Sequence, residues 1–370
     1  MKITNALVYD GDSFVSKDIF IENGIFTESD NSGEVINANG CYAIPGLIDL
    51  HFHGCMGYDF CDHTAEALQA ITDYEAKSGI TTICPATMSL PQDELLQICK
   101  TTAAFQNTNG ANICGIHLEG PFLSNNFKGA QNAAYLRTAD FSSYQQLQDA
   151  SNNLIKIVSL APELPKNHEF IKQAKDSVRI SLAHSGADYE TAKAAFDAGA
   201  THVTHLFNAM PPFHHRNPGI IGAALDSNDV RVEMICDGIH IHPSMIRAAF
   251  AMFTDERIIL ISDSMEATGL SDGTYSLGGQ TVTVKGRLAT LSDHTIAGSV
   301  SNLMDCIRYL VKEVQIPLTS AIRCATVNPA KELGIFEHYG SISPHKVANL
   351  VLLAPDLDVT SVLLAGKKIV

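Results

Sequence analysis

Ile113-Cys114-Gly115-Ile116-His117-Leu118-Glu119-Gly120-Pro121-Phe122 begins as an apolar run of strand type and ends on a charge. Gly120 and Pro121 follow Glu119 at once, and Gly and Pro stop a strand. Glu119 therefore sits at the carboxyl end of a buried strand, where a charge is expensive unless something pairs with it. In a barrel of parallel strands that end is where active sites are built. A carboxylate satisfied by an arginine or a backbone nest would look the same from this stretch alone. The other strand-like runs carry the decision, because several of them also end on His or Asp.

Eight such runs alternate with helix-like stretches. They are Leu47–Phe52, Thr81–Ala86, Ile113–Leu118, Ile155–Leu160, Val178–Ala183, His202–Phe207, Val230–Cys236 and Ile258–Ser262. Amphipathic stretches such as Thr64–Lys77, Asp93–Ala104 and Tyr189–Ala198 fall between them. Strands buried on both faces read as near-continuous apolar runs, and this alternation predicts an α/β chain folded as a (β/α)8 TIM barrel. A doubly wound open sheet is the rival, but no Gly-x-Gly-x-x-Gly turn follows the first strand. Thr274–Leu291 reads as a hairpin inserted after the eighth strand, followed by helices over Ser301–Glu313 and Thr319–Leu333. Short strands separated by Asp-Gly, Glu-Asn-Gly and Asn31-Ser32-Gly33 turn signals fill the amino end, and Ala348–Leu353 and Val359–Leu364 the carboxyl end. Both ends together (1–48 and 340–370) are expected to form a small β-sandwich domain, with the catalytic barrel at 49–339.

Composition bounds the function. Lys plus Arg is 25 against 40 Asp plus Glu, a formal net charge of −15. A nucleic-acid or anionic-membrane surface needs a broad basic face, so neither partner is expected. The nine cysteines are scattered without a Cys-x-x-Cys pair, which suits a reduced, cytoplasmic chain better than a disulfide framework. No leader-like or membrane-spanning apolar run is apparent.

The strand endings form a constellation. The first strand ends in Asp49-Leu50-His51-Phe52-His53, and residues two apart in a strand point the same way. The third ends on Glu119, the fifth on His184, the sixth at His205 and the eighth on Asp263. Imidazole with carboxylate on one rim suits a divalent ion such as Zn²⁺ or Fe²⁺. Such an ion would lower the pKa of a water, and Asp263 is the natural general base beside it. Hydrolysis of an amide, ester or amidine follows.

These residues resemble the amidohydrolase superfamily and, within it, the deacetylases of N-acetylated amino-sugar phosphates. Pro45-Gly46-Leu47-Ile48-Asp49-Leu50-His51-Phe52-His53-Gly54 is similar to the motif of the superfamily at large. More specific are His117-Leu118-Glu119-Gly120-Pro121-Phe122, Thr204-His205-Leu206-Phe207-Asn208-Ala209-Met210 and Asp237-Gly238-Ile239-His240. The resemblance implies Glu119, His184 and His205 as ligands of a principal ion. It implies His51 and His53 as ligands of a second that only some members keep, hence one or two ions per chain. It implies Asp263 as the acid/base, and Asn208, Ala209 and the Asp237–His240 segment, with Asp237 and His240, as sugar-phosphate contacts. Arg216 resembles a phosphate ligand on a loop that reaches a neighbouring subunit, which implies a homodimer. Ile296, Ala297 and Gly298 resemble a further substrate turn. In Lys128-Gly129-Ala130-Gln131, Ala130 and Gln131 fall at substrate contacts, with Gln131 where some members carry a His that holds the acetyl carbonyl. The implied reaction is deacetylation of N-acetylglucosamine 6-phosphate, with N-acetylgalactosamine 6-phosphate as the alternative.

His117 reads as support for the ligands rather than as one of them. His202 reads as packing or a hydrogen bond within the sixth strand. Asp59 and Asp62 read as loop caps.

Overall fold

The apolar runs become strands for the reason that made them legible: each is covered on both faces. The structure, a computed structural model, describes residues 1–29 and 33–370. Its barrel strands are Leu47–Asp49, Ile80–Ile83, Asn112–Ile113 continued by Ile116–Glu119, Ile155–Leu160, Arg179–Leu182, His202–Val203, Arg231–Ile235 and Ile258–Ile261. Neighbours pair in parallel and in chain order. The third strand is interrupted at Cys114 and Gly115, its first part pairing back to the second strand and its second part on to the fourth. Asp263 N donates to His51 O at 3.0 Å, linking the end of the eighth strand to the end of the first. The architecture is mixed α/β of TIM-barrel type. Ile48, Leu50, Cys84, Ile157, Ile235, Ile259 and Ile261 pack into one cluster, with Ala330 and Leu333 against it. The larger apolar cluster lies between strands and helices.

Helix starts follow their caps. Thr64 accepts from Ala67 N, and Asp188 from Thr191 N, at the starts of Ala65–Lys77 and Tyr189–Ala198. Asp59 and Asp62 form a capping box around the short turn Phe60–Asp62, as a loop-capping role requires. The helix expected over Thr319–Leu333 is two, Leu318–Ala325 and Val327–Glu332, broken at Thr326. Pro329 explains the break: it has no N–H for the carbonyl four residues back, and its ring crowds that carbonyl. The expected hairpin is a three-stranded meander, Gly273–Leu277, Gln280–Lys285 and Leu288–Thr290.

Strands from the two chain ends share one sheet. Lys2–Tyr9 pairs antiparallel with Phe14–Glu22 and parallel with Tyr42–Pro45. Tyr42–Pro45 pairs in turn with Leu350–Leu353, which pairs with Val359–Leu364. This sheet has its own apolar cluster, including Ile3, Val8, Ile19, Phe26, Leu350 and Leu363. The turn signal at Asn31-Ser32 lies outside the described residues.

Gly46 joins this sheet to the first barrel strand, and its N–H donates to Asn349 O at 2.9 Å. A Cβ there would lie 2.0 Å from Thr81 Oγ1 and 2.8 Å from Thr81 Cβ, so rotating the Thr81 side chain does not clear it. Gly46→Ala is expected to destabilise the chain by about 1–3 kcal/mol, the cost of overpacking a filled core. Urea unfolding with an unchanged m-value and an unchanged midpoint would count against this account.

Candidate metal centre and active site

Each strand ending places its side chain through a local backbone device. His184, His205 and Asp263 adopt left-handed backbone, with φ of 44°, 30° and 50°. Non-glycine residues pay for that conformation, and such strain collects where function over-determines the geometry. Each turn swings a side chain across the mouth of the barrel instead of along its strand.

The result is a crowd of acceptor atoms. Glu119 Oε1 lies 3.1 Å from His184 Nε2 and 3.2 Å from His205 Nε2, and the two nitrogens are 3.1 Å apart. On the other side, His53 Nε2 is 3.3 Å from both Glu119 Oε2 and Asp263 Oδ1. His51 Nε2 is 3.4 Å from Glu119 Oε1 and 3.6 Å from Asp263 Oδ1. Glu119, His184 and His205 thus form one group close enough to hold an ion, and His51, His53 and Asp263 a second. All six residues are buried.

The outer hydrogen bonds decide which lone pairs face inward. His184 Nδ1 is 2.9 Å from Phe127 O; a carbonyl accepts only, so the proton sits on Nδ1 and the Nε2 lone pair faces Glu119. His51 Nδ1 meets Glu233 Oε2 at 2.8 Å in the same sense, and His51 Nε2 is buried without a hydrogen-bond partner. Lone pairs about 3 Å apart repel unless a cation lies between them. The observed 3.1–3.4 Å spacings within the first group and on to His51 suit the edges of a shell with bonds of about 2.0–2.2 Å. The donor set therefore fits a divalent ion. A third cluster, His51, His117 and Glu233, also lies close enough to hold an ion. It is satisfied by hydrogen bonds instead: His117 Nε2 meets Ser159 Oγ at 2.8 Å and His117 Nδ1 meets Leu50 O at 3.2 Å.

Burial alone raises the Asp263 pKa; whenever His51 and His53 carry protons in place of an ion, the hydrogen bond from His53 and the charges on both rings hold its carboxyl below the usual range. Burial likewise disfavours ionised Glu119, and the surrounding imidazoles more than reverse that. Both groups are carboxylates at neutral pH.

A cavity of about 410 Å³ opens over this centre, lined in part by His53, Glu119, Ala130, Gln131, Asn208, Ala209, His240, Asp263, Ile296 and Gly298. Three expected substrate contacts are engaged or buried by the chain itself, and a fourth lies apart from the cavity. Gln131 is not free to hold a carbonyl: Ser89 N donates to its Oε1 at 2.7 Å, and its Nε2 donates to Glu119 Oε2 at 2.8 Å. Asp237 is buried behind His240, accepting from His240 N and meeting its Nδ1 at 2.8 Å. Ala297 is fully buried, and its neighbours Ile296 and Gly298 face the cavity. Arg216 is exposed on a separate cleft beside Tyr189 and Pro218, with Nη1 against His215 Nε2. The loop that carries it has no strand to aim it, which is why sequence spacing cannot place it.

His202 bonds outside its own strand, to Glu233 on the seventh strand and to Glu332. Glu233 was missed. The available signal was a lone carboxylate in the apolar run Val230–Cys236, which only a buried partner can justify. Met88, Phe127, Leu277 and Thr295 also line the cavity, and nothing in their local sequence marks them.

With this geometry in view, comparison with known proteins gives the lineage. Residues 42–369 match the model of the Amidohydrolase family. The chain belongs to the amidohydrolase family. Within the family, it is 39% identical to the N-acetylglucosamine-6-phosphate deacetylase of Bacillus subtilis (strain 168), over 87% of this chain and 83% of that protein. It is 33% identical to an N-acetylgalactosamine-6-phosphate deacetylase of Escherichia coli O157:H7, over 87% of this chain and 86% of that one. Its fold superposes with a TM-score of 0.92 on an Asp-to-Ala mutant of N-acetyl-D-glucosamine-6-phosphate deacetylase from Mycobacterium smegmatis in complex with N-acetyl-D-glucosamine-6-phosphate, at 31% identity over 100% of this chain and 99% of that one.

Asp237 gives a test of the site's electrostatics. Burial lowers the His240 pKa, but the hydrogen bond and charge of Asp237 raise it above the ordinary 6.5. A raised value means that the imidazolium survives as pH climbs through 6.5 and is lost only above it. Asp237→Asn removes the larger of the two raising influences and leaves the charge of Asp263 alone against burial, so an NMR titration of the His240 ring should show its midpoint fall. An unmoved midpoint would show that Asp237 does not set the charge.

Proposed function

We propose that the chain is a divalent-metal amidohydrolase that converts N-acetylglucosamine 6-phosphate to glucosamine 6-phosphate and acetate. The observation that carries this is the convergence of Glu119, His184 and His205 with Asp263 under one cavity. Relatives bearing that enzyme's name align over most of the chain. Glu119, His184 and His205 hold the principal ion, and His51 and His53 a second; zinc and iron(II) both suit the donors. A divalent ion held there would supply Lewis acidity and bring the pKa of water towards neutrality. Asp263, ionised at neutral pH, takes a proton from water as the oxygen attacks the acetyl carbonyl carbon. It returns the proton to the nitrogen as the C–N bond breaks, so that a neutral amine leaves rather than an amide anion. Gln131 orients Glu119.

Phosphate recognition draws on a second chain. Among the described residues lining the cavity there is no Lys or Arg; His240 is the cationic group aimed into it, held by Asp237. A phosphate needs more, and Arg216 lies on an exposed loop outside the lining of its own chain's cavity. We read it as the phosphate ligand of a partner's site in a homodimer, where its planar fork matches phosphate oxygens. The terminal strands, 1–48 and 340–370, are read as a β-sandwich domain beside the 49–339 barrel, supported by their separate apolar cluster. A cytoplasmic location fits nine unpaired cysteines, and no helix among the described residues is long and apolar enough to cross a membrane.

The deciding experiment measures acetate release from the two epimeric N-acetylhexosamine 6-phosphates, with bound metal assayed on the same sample. Faster turnover of the galactosamine epimer would replace the proposed substrate. Glu119→Gln, His184→Asn and His205→Asn are each expected to strip the principal ion together with activity. Asp263→Asn should keep the ion while kcat falls by about 10²–10⁴-fold, the worth of a general acid/base; rescue by excess Zn²⁺ would instead make Asp263 a ligand.

For the phosphate, Arg216→Ala should cost about 1.5–3 kcal/mol in kcat/KM through KM, the range for a hydrogen bond to a charged group. The unphosphorylated sugar should be turned over as before. Equal losses on both sugars would assign Arg216 a structural role.

A further inference from the structure

Glu233 lies inside the seventh strand, fully buried, and no step of the hydrolysis above uses it. Three donors converge on its carboxylate. His51 Nδ1 lies 2.8 Å from Oε2, His205 N donates to Oε2 at 3.1 Å, and His202 Nε2 lies 2.9 Å from Oε1. An ionised carboxylate only accepts, so each contact states where a proton is: on Nδ1 of His51 and on Nε2 of His202. His202 Nδ1 lies in turn 3.2 Å from Glu332 Oε1, and Glu332 Oε2 accepts from Arg231 Nη1 at 2.9 Å. Arg231, Glu332, His202, Glu233 and His51 thus form one hydrogen-bonded row. It runs from the amino ends of the barrel strands, where Arg179 Nε donates to Glu332 O at 3.1 Å, up to the ligand groups.

The consequence falls on His51. With a proton held on Nδ1, its lone pair is on Nε2, the buried atom that has no hydrogen-bond partner and faces Glu119 and Asp263. A second hydrogen bond that orients a ligating imidazole is worth about 10–100-fold in ion affinity. We propose that Glu233 is the positioning residue of the second ion site, fixing the tautomer and ring orientation of His51, and that His202 and Glu332 hold Glu233 in place. The inference rests on His51 being a ligand. It also explains His202. Buried between two carboxylates, that ring can donate to both only as an imidazolium, and it neutralises part of what would otherwise be two adjacent buried anions.

The chemistry of substitution separates acceptor geometry from bulk. Glu233→Met keeps the length and removes every acceptor. Glu233→Gln keeps one acceptor oxygen for His51, and its amide N–H can face His202 once that ring gives up its Nε2 proton.

The test titrates Zn²⁺ into the full chain against a chelator of known affinity and resolves the two equivalents. Glu233→Met is expected to weaken the second equivalent about 10–100-fold while Glu119, His184 and His205 retain the first. Glu233→Gln should lose less than about tenfold, within that range's lower bound. The His51→Asn/His53→Asn double variant identifies which equivalent is the second. If native protein binds a single ion, or the double variant loses none, the ligand reading of His51 fails, and NMR of the ¹⁵N-histidine-labelled chain then judges Glu233 alone. There, with or without Zn²⁺, His51 Nδ1 should carry an exchange-protected proton that is lost in Glu233→Met. Native second-ion affinity in Glu233→Met, or a His51 Nδ1 without a proton in the native chain, would overturn the proposal.

Discussion

Lone pairs held about 3 Å from one another at the mouth of a barrel, with hydrogen-bonded donors behind them, are the constraint on which the rest of this structure depends. Glu119 Oε1, His184 Nε2 and His205 Nε2 lie within 3.1–3.2 Å of one another, and His51, His53 and Asp263 extend the crowd. Protons on the imidazoles would make that arrangement favourable, and so would a divalent cation among the same atoms. The left-handed turns at His184, His205 and Asp263 add about 1–3 kcal/mol each of backbone cost. The packed apolar clusters inside and outside the strands are what over-determine these turns. Stability is supplied by the barrel and withdrawn at its mouth.

The hydrogen bonds behind the ligands matter as much as the ligands. Phe127 O turns His184, Glu233 turns His51, and Gln131 turns Glu119. Gln131 illustrates the point: its carboxamide is anchored at both ends, by Ser89 N and Glu119 Oε2, so it serves the carboxylate and not an incoming carbonyl.

How far the sequence could be read follows from the same physics. A parallel strand buried on both faces is a continuous apolar run, and a Gly-Pro or a charge after it marks the end; all eight barrel strands and the six residues at their mouths were legible on those grounds. The signal weakens wherever placement depends on a partner distant in sequence. Glu233 sits within an apolar run, and its meaning comes from His51 and His202, which lie on other strands. Arg216 lies on a loop whose direction no periodicity encodes. The single helix expected from Thr319 to Leu333 fails locally, because a 3.6-residue pattern continues through Pro329 although the backbone hydrogen bond does not. The third strand of the inserted meander is short and follows a turn at Gly286, so composition alone ran it into the hairpin.

Charge separates recognition from chemistry in the proposed reaction. The chain carries a net −15, and the cavity holds two carboxylates, so an anionic substrate meets repulsion at long range and at the floor. In the proposed reaction the floor would be answered by a bound ion and the imidazoles around it. The phosphate end has only His240 from the same chain, and a single imidazolium backed by Asp237 is close to a neutral pair when seen from a distance. A fixed guanidinium is what the site still lacks. An arginine set within the same cavity would compete for Glu119 and Asp263 whenever substrate was absent. In the proposed homodimer Arg216, carried on an exposed loop of the second chain, would stay clear of those carboxylates and add its charge where the phosphate lies. On this reading the homodimer is a solution to an electrostatic problem that one barrel mouth cannot solve alone.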